Sequence, residues 1–303
     1  MLTLDKGFWY GSFDVGLSTN LSLLIDTGSS DLAVNPDRYK PSSASVNLHQ
    51  EGLLQYITVF ENGCGSANIS YSVFNDTMSF INLTVPLQTF ASVKPTSPPD
   101  NNTLTAFPHD GLAGFRGRNV SRLHATPFFH QLCEQGTVRE CRFGLALKSD
   151  GTGVQLLGQV DETLASGPFA KATIKTEWAV RGDVRVRGQA VAQNQVLILD
   201  SGTANVVGPT AQVMKLFDAA GIQAVNHSLP GFGFSLSTGS EEVFNIDATA
   251  FKEAMNGGNN CTATIAGLDD LNSWIVGQSW FQGKYIDFDV TGKSVGIAPL
   301  KVK

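Results

Sequence analysis

The chain has 303 residues, 42% of them hydrophobic, so it can bury a large core and is long enough for two domains. Its 27 acidic residues outnumber its 21 basic ones and give a formal net charge of -6, which argues against nucleic acid as a partner. No apolar run approaches the roughly 18 to 20 residues that cross a bilayer, and the start "MLTLDKGFWY" has no signal-peptide pattern. We expect a mature or trimmed soluble chain with no membrane partner.

Short alternating apolar segments, separated by Gly, Asn, Ser and Pro, run along the whole chain. Examples are "GFWYGSFDVGL" at 7–17 and "NISYSVFNDTMSFINLTV" at 68–85, and the pattern predicts a β-rich protein. Helices are predicted over 127–136, 209–220 and 247–256, from Pro at a first turn or Gly at an end. Near the C-terminus, "DVTGK" predicts a hairpin turn.

One strand pattern occurs twice. "LSLLIDTGSS" at 21–30 drives an apolar run into Asp26, and "VLILDSGT" at 196–203 does the same with Asp200. Each copy is followed by two apolar residues and a glycine, in "GLAGF" at 111–115 and "WIVGQ" at 274–278. The same order in both halves indicates a duplicated unit, whereas a lone Asp before Gly would indicate only a turn or a helix cap.

Two such aspartates suit one kind of chemistry if they face each other. Carboxylates a few ångströms apart cannot both ionise readily, so they share a proton and titrate as a coupled pair. One then acts as a base on a bound water while the other acts as an acid toward an amide carbonyl. This chemistry requires no metal and no cofactor, and the sequence contains no zinc-ligand spacing.

The residues that follow each aspartate would support it. Glycines at these positions let the backbone turn tightly and approach closely, and hydroxyls can orient the carboxylates. The predicted supporting residues of the two loops are Thr27, Gly28, Ser29, Ser201, Gly202 and Thr203.

The two motifs, together with "YKPSSAS", "DGLAGF" and "WIVGQSWFQGKYIDFDVTGKSVGIAP", resemble the pepsin-like aspartic proteases in order and spacing along nearly the whole chain. The resemblance implies an all-β, bilobed fold of two pseudo-twofold related lobes with an interlobe sheet and a few short helices. Residues 1–160 would form the lobe with Asp26 and a flap hairpin, and 161–303 the lobe with Asp200. It also implies catalysis by Asp26 and Asp200 at acidic pH, a polypeptide substrate, pepstatin-type inhibitors and a monomer.

The flap departs from the family pattern. Ala33 stands where the family has a tryptophan, and an ungapped count back from Tyr71 places Phe60 at the flap tyrosine and Gly63 at a flap glycine. A phenyl ring can cover a pocket but cannot donate a hydrogen bond, and Tyr56 or Tyr71 would substitute in another register. Predicted substrate contacts are Phe60 and Gly63, with Leu24 and Leu112 near the scissile bond.

Cysteines and glycosylation motifs indicate the compartment. Cys133 and Cys141 bracket a short polar segment that a disulfide could close, the alternative being two buried thiols. Cys64 and Cys261 could pair with each other or stay free. Eight Asn-X-Ser/Thr motifs, starting at residues 20, 68, 75, 82, 101, 119, 226 and 260, favour a secreted or vacuolar/lysosomal protein.

Other functions fit less of the sequence. A pepsin-like protein that binds or inhibits without cleaving would explain the altered flap, but it has no need for two buried carboxylates. A glycosidase lacks sugar-stacking aromatic residues near either aspartate. The basic segment "RGRNVSR" at 116–122 is read as a solvated loop.

Overall fold

The computed structural model describes residues 1–60, 63–95, 107–221, 232–236, 243–246, 252–254 and 261–301. The chain forms two compact units, Met1–Cys141 and Arg142–Lys303. Strands dominate both units, as the alternating pattern predicts. The predicted lobe boundary lies between residues 160 and 161, whereas residues 142–157 form two strands of the second unit's sheet.

The first unit contains eight described strands that join in the order β1-β2-β3-β8-β4-β7-β6-β5, and β2 also pairs with β6. Its helices are α1, Phe128–Glu134, and a 3-10 turn at Arg118–Val120. The strands are Leu2–Asp5 (β1), Phe8–Val15 (β2), Ser18–Asp26 (β3), Leu32–Val34 (β4), Val46–Phe60 (β5), Gly63–Phe80 (β6), Leu83–Val93 (β7) and Gly111–Gly114 (β8).

The second unit contains fourteen described strands. They are Arg142–Leu147 (β9), Thr152–Leu157 (β10), Ala170–Thr173 (β11), Ala179–Val186 (β12), Gln189–Leu199 (β13), Val206–Pro209 (β14), Phe232–Leu236 (β15), Val243–Asn245 (β16), Lys252–Ala254 (β17), Cys261–Ala263 (β18), Ile265–Leu268 (β19), Trp274–Val276 (β20), Lys284–Asp289 (β21) and Ser294–Pro299 (β22). They join as β11-β22-β21-β9-β10, as β16-β15-β12-β13-β20-β14-β19, and as the pair β17-β18. The helices are α2, Thr210–Ala220, α3, Gln278–Phe281, and a 3-10 turn at Glu162–Leu164.

Two of the three predicted helices are confirmed. They are α1 and α2, and α2 ends at Gly221 in the left-handed conformation (φ 70°), which glycine adopts without a Cβ clash. The helix predicted over 247–256 is wrong at residues 252–254, which form β17 and pair with β18. Backbone pairing with a neighbouring strand outweighs a weak local helix preference there.

The duplicated pattern produces the same topology twice. In the first unit β3 runs parallel to β8, which is antiparallel to β4, and β4 is parallel to β7. In the second unit β13 runs parallel to β20, which is antiparallel to β14, and β14 is parallel to β19. In each unit the repeated aspartate stands at the end of the first strand of this arrangement or directly after it, and the repeated glycine stands in the same way at the second.

A disulfide joins Cys133 at the end of α1 to Cys141, with Cα atoms 5.3 Å apart, so the predicted bridge is confirmed. It closes the turn that leads out of the first unit. The cores of the units are aromatic: Phe13 stacks on Phe80 in the first, and Phe143 stacks on Phe288 in the second. These apolar layers hold the central strands in place.

Candidate active site

Asp26 provides the first carboxylate of the candidate site. It is the last residue of β3, which pairs with β2 and β8, and it is only 6% exposed. Its Oδ1 atom accepts a hydrogen bond from the Gly28 amide at 2.7 Å, and its Oδ2 atom accepts one from the Ser29 hydroxyl at 2.6 Å. A buried carboxylate is costly unless such donors replace its lost water. The apolar strand can end on an aspartate because the next turn supplies those donors.

Strand β8 supports the Asp26 turn from the other side. Gly114 is the register partner of Asp26, and the Phe115 amide donates to the Asp26 carbonyl at 2.7 Å. A Cβ atom at Gly114 would lie 2.5 Å from the Ser30 carbonyl carbon and 2.7 Å from the Asp31 nitrogen. Only glycine lets the turn pass this close to β8.

Asp200 provides the second carboxylate, directly after β13. Its amide donates to the Val276 carbonyl on β20 at 3.0 Å. Its Oδ1 atom accepts from the Gly202 amide at 2.8 Å, and its Oδ2 atom accepts from the Thr203 hydroxyl at 2.7 Å. The carboxylate therefore receives the same two kinds of donor, at the same spacing along the chain, as Asp26.

The second turn is also held against a glycine. A Cβ atom at Gly277 would overlap the carbonyl oxygens of Thr203 and Asn205. The Gln278 amide donates to the Thr203 carbonyl at 2.8 Å, and its buried side-chain amide donates to the Ser201 carbonyl. Each unit thus carries an aspartate whose carboxylate is fixed by a glycine amide and a hydroxyl, which keeps both oxygens in a defined orientation.

The remaining supporting residues lie inside these turns. Thr27 and Ser201, which directly follow the two aspartates, are 1% and 0% exposed. Each carboxylate is therefore followed directly by a small polar residue that is shielded from solvent. The structure thus brings all six predicted supporting residues into the two turns.

A cavity of about 1010 Å³ lies beside Asp26 within the first unit. Its apolar lining includes Ala33, Leu54, Phe107 and Leu112, so the predicted contact residue Leu112 borders it. Ala33, where the sequence resemblance implies a tryptophan, lines the same space. A side chain of one methyl group leaves that part of the cavity open.

Leu24 has a different environment. It pairs in register with Leu112, but it is 0% exposed and does not line the cavity. Contact between Leu24 and a substrate would therefore require a rearrangement of β3.

The predicted flap corresponds to the hairpin of β5 and β6. Phe60 and Gly63 form the last described backbone pair, while residues 61–62 and the side chains of 55–60 and 63–68 lie outside the described part. The predicted roles of Phe60, Cys64 and Tyr56 fall on those side chains. Tyr71 lies further down the hairpin opposite Gly52 and is 7% exposed, and burial is the main cause that raises its pKa.

The sequence interpretation missed the basic wall of the cavity. The sequence predicts a solvated loop at 116–122, whereas Arg116, Arg118, Arg122 and His124 all line the cavity. The available signal was its position, because the first of these arginines comes two residues after Gly114. Because Gly114 pairs with Asp26, the residues that directly follow Gly114 also lie close to Asp26.

Within the described residues, no cluster of His, Cys, Asp and Glu could hold a metal ion. No helix in that part of the chain has the length and hydropathy of a membrane span. Cys261 lies in β18, but its side chain and that of Cys64 belong to the undescribed set.

One hydrogen-bonded aspartate after a buried strand, repeated in two β-rich units, is the organisation of an aspartic-type hydrolase. The family model described as eukaryotic aspartyl protease matches residues 8–300, and the chain belongs to that family. An aspartic protease of Phaffia rhodozyma is 27% identical over 97% of this chain and 76% of its own length. Pepsin A of Sus scrofa is 25% identical, over 96% of this chain and 81% of its own length.

The likeness extends to a solved structure. The crystal structure of an aspartic proteinase from Irpex lacteus matches with a TM-score of 0.81, covering 99% of this chain and 96% of that chain at 21% identity. The fold class is therefore the all-β, bilobed pepsin-like fold that the sequence motifs predict.

Proposed function

We propose that the chain is an endopeptidase in which Asp26 and Asp200 together hold and activate one water molecule. One observation carries the proposal: each carboxylate accepts a hydrogen bond from a glycine amide and another from a hydroxyl, at 2.6 to 2.8 Å. Donors of this kind fix the orientation of a carboxylate before substrate arrives, which is the requirement for positioned acid–base catalysis.

In this mechanism the two aspartates share one proton. The ionised carboxylate takes a proton from the water as the water attacks the peptide carbonyl carbon, and the protonated one donates its proton to the developing oxyanion. The pair then returns its proton to the leaving amine as the C–N bond breaks. Because the two groups titrate as a pair, activity should show an acidic, bell-shaped pH profile.

The substrate in this proposal is an extended polypeptide, bound by strand-like hydrogen bonds with apolar side chains near the scissile bond. The apolar residues Leu54, Phe107 and Leu112 beside Asp26 support that preference. Pepstatin-type inhibitors would bind the same place, and the active form would be a monomer. The disulfide and the Asn-X-Ser/Thr motifs support a secreted or vacuolar/lysosomal location.

A second candidate is a pepsin-fold protein that binds peptides without cleaving them. Ala33 favours it, because this residue widens the cavity at the position where the family has a tryptophan. The two carboxylate arrangements favour the enzyme, since binding alone does not need a pair of buried acids.

The deciding experiment is digestion of a peptide library between about pH 3 and 6, with and without a pepstatin-type inhibitor. We expect inhibitor-sensitive cleavage that falls by about a thousandfold or more in Asp26→Asn and in Asp200→Asn. Asp37→Asn is the matched control, because Asp37 is exposed and its φ of 62° also suits asparagine. Undiminished cleavage by either dyad variant would refute the mechanism, and no cleavage by the wild type would favour the binding protein.

A further inference from the structure

The wall of the cavity beside Asp26 is strongly basic. Three arginines, Arg116, Arg118 and Arg122, and one histidine, His124, line it, whereas the carboxylates among the described lining residues are Asp26 and Asp31. This excess of positive charge stands out in a chain whose formal net charge is -6. A concave surface lined by one sign of charge concentrates ligands of the other sign.

Asp31 anchors the backbone of this wall. Its Oδ1 atom accepts from the Ser121 hydroxyl at 2.5 Å, and its Oδ2 atom accepts from the Arg122 amide at 2.7 Å. The Ser121 hydroxyl in turn accepts from the Ala125 amide at 3.0 Å. The segment is therefore held in place by a buried carboxylate that bonds to its backbone and hydroxyl groups.

The guanidinium groups of Arg118 and Arg122 can receive a ligand. Arg118 and Arg122 are exposed, and within the described part of the chain neither forms an ion pair. Arg116 lies closer to the chemistry, since its Nη1 atom donates to the carbonyl of Gly28 at 3.2 Å and Gly28 itself donates to Asp26. The basic wall thus begins at the catalytic turn and continues outward along the cavity.

We propose that this cavity selects substrates with a glutamate or aspartate side chain close to the scissile bond. The inference rests on the proposed endopeptidase function and specifies its substrate class. A carboxylate fits the planar, two-pronged donor surface of arginine, and Arg118 and Arg122 line the same cavity as the apolar residues Leu54, Phe107 and Leu112. The preferred sequence combines an acidic residue with apolar ones.

The substrate's own titration provides a specific signature. Glutamate ionises near pH 4.3, so its preference over glutamine should grow as the pH rises from about 3.5 to 5.5. The groups that face it are the side chains of Arg116, Arg118, Arg122 and His124, the carboxylates Asp26 and Asp31, and Tyr71 near Asp31. Arginine is not deprotonated in proteins, so the trend follows the ionisation of the substrate's own carboxyl group.

The test is a glutamate scan. A peptide with a central Phe-Phe bond and glutamine elsewhere is compared with versions in which one glutamine at a time, within about three positions of that bond, is replaced by glutamate. For at least one position we expect kcat/KM to rise about tenfold over the glutamine peptide near pH 5. The double variant Arg118→Gln/Arg122→Gln should reduce this ratio to about twofold or less, and because the ratio compares two peptides on the same protein, any loss of activity common to both cancels.

Two further variants distinguish the effect of losing positive charge in the cavity from a general effect of replacing arginine. Arg118→Lys/Arg122→Lys keeps the charge and should retain part of the preference. Arg187→Gln removes an exposed arginine of the second unit that does not line the cavity, and it should leave the ratio unchanged.

Two results would overturn the inference: no position at which glutamate is preferred, or the same preference in the glutamine double variant. If the wild type cleaves none of the peptides, the proposed function fails instead, and equilibrium binding of the same peptides to the wild-type chain decides this point. Equal dissociation constants for the glutamate and glutamine peptides would then refute acidic recognition.

Discussion

Replacing Gly114 by alanine should displace the Asp26 turn, although the change adds only one methyl group. A methyl group on that backbone would lie 2.5 Å from the Ser30 carbonyl carbon and 2.7 Å from the Asp31 nitrogen. Both are backbone atoms and cannot rotate away, so the Asp26 turn itself must shift. That turn carries Ser29, whose hydroxyl bonds to the Asp26 carboxylate at 2.6 Å.

The distances set the size of the effect. Ordinary contacts between carbon atoms lie at about 3.5 to 4 Å, so relief of the clash requires a displacement on the order of 1 Å. Overpacking of this kind costs about 1 to 3 kcal/mol in stability. A misplacement of about 1 Å at a catalytic group can cost about a hundredfold in rate, so kcat should fall by about that factor while the protein is still folded.

The assay measures kcat and the thermal midpoint of Gly114→Ala beside those of Gly167→Ala. Gly167 has no heavy atom within 4 Å of an added Cβ and is exposed, so its alanine variant should keep full activity and equal or slightly higher stability. Both proteins are compared well below their unfolding temperatures. Wild-type kcat in Gly114→Ala would refute the account of how β8 supports Asp26.

Two further predictions concern stability. Asp76 is fully buried, and although burial acts to raise its pKa, bonds from Ser42, Tyr39 and Thr77 hold it below the usual value. Because the folded pKa is lowered, this stabilisation is present above the unfolded pKa of about 3.9 and lost as pH falls through the folded value. The free energy of unfolding, measured by urea titration, should therefore fall more steeply below about pH 4 in the wild type than in Asp76→Asn. The same pH dependence in both proteins would contradict this. Removing the Cys133–Cys141 bridge, which spans 8 residues of sequence, should cost roughly 2 to 3 kcal/mol, and an unchanged unfolding midpoint in the double alanine variant would count against it.

The sequence alone was sufficient to predict the two aspartate motifs, the β-rich fold and the disulfide. These features depend on neighbours along the chain: an apolar strand followed by Asp-Thr-Gly-Ser or Asp-Ser-Gly-Thr, alternating apolar residues, and two cysteines close in sequence. Features of this kind can be predicted from the sequence because the residues that form them are also neighbours in the folded structure. The helix prediction at 247–256 is wrong at residues 252–254, because these residues form β17 and pair with β18 despite a local helix preference.

Only the tertiary structure revealed how the distant residues meet. Gly114 and Gly277 must be glycines because strands far along the chain pass directly against the carboxylate turns, which spacing alone does not express. The basic residues after Gly114 read as a surface loop in sequence, but Asp31, some 90 positions away from Ser121, fixes their backbone as a cavity wall. The aspartate motifs are formed by residues that are neighbours in the sequence. The surroundings of each carboxylate, including the basic residues near Asp26, depend on long-range packing, which periodic patterns in the sequence do not describe.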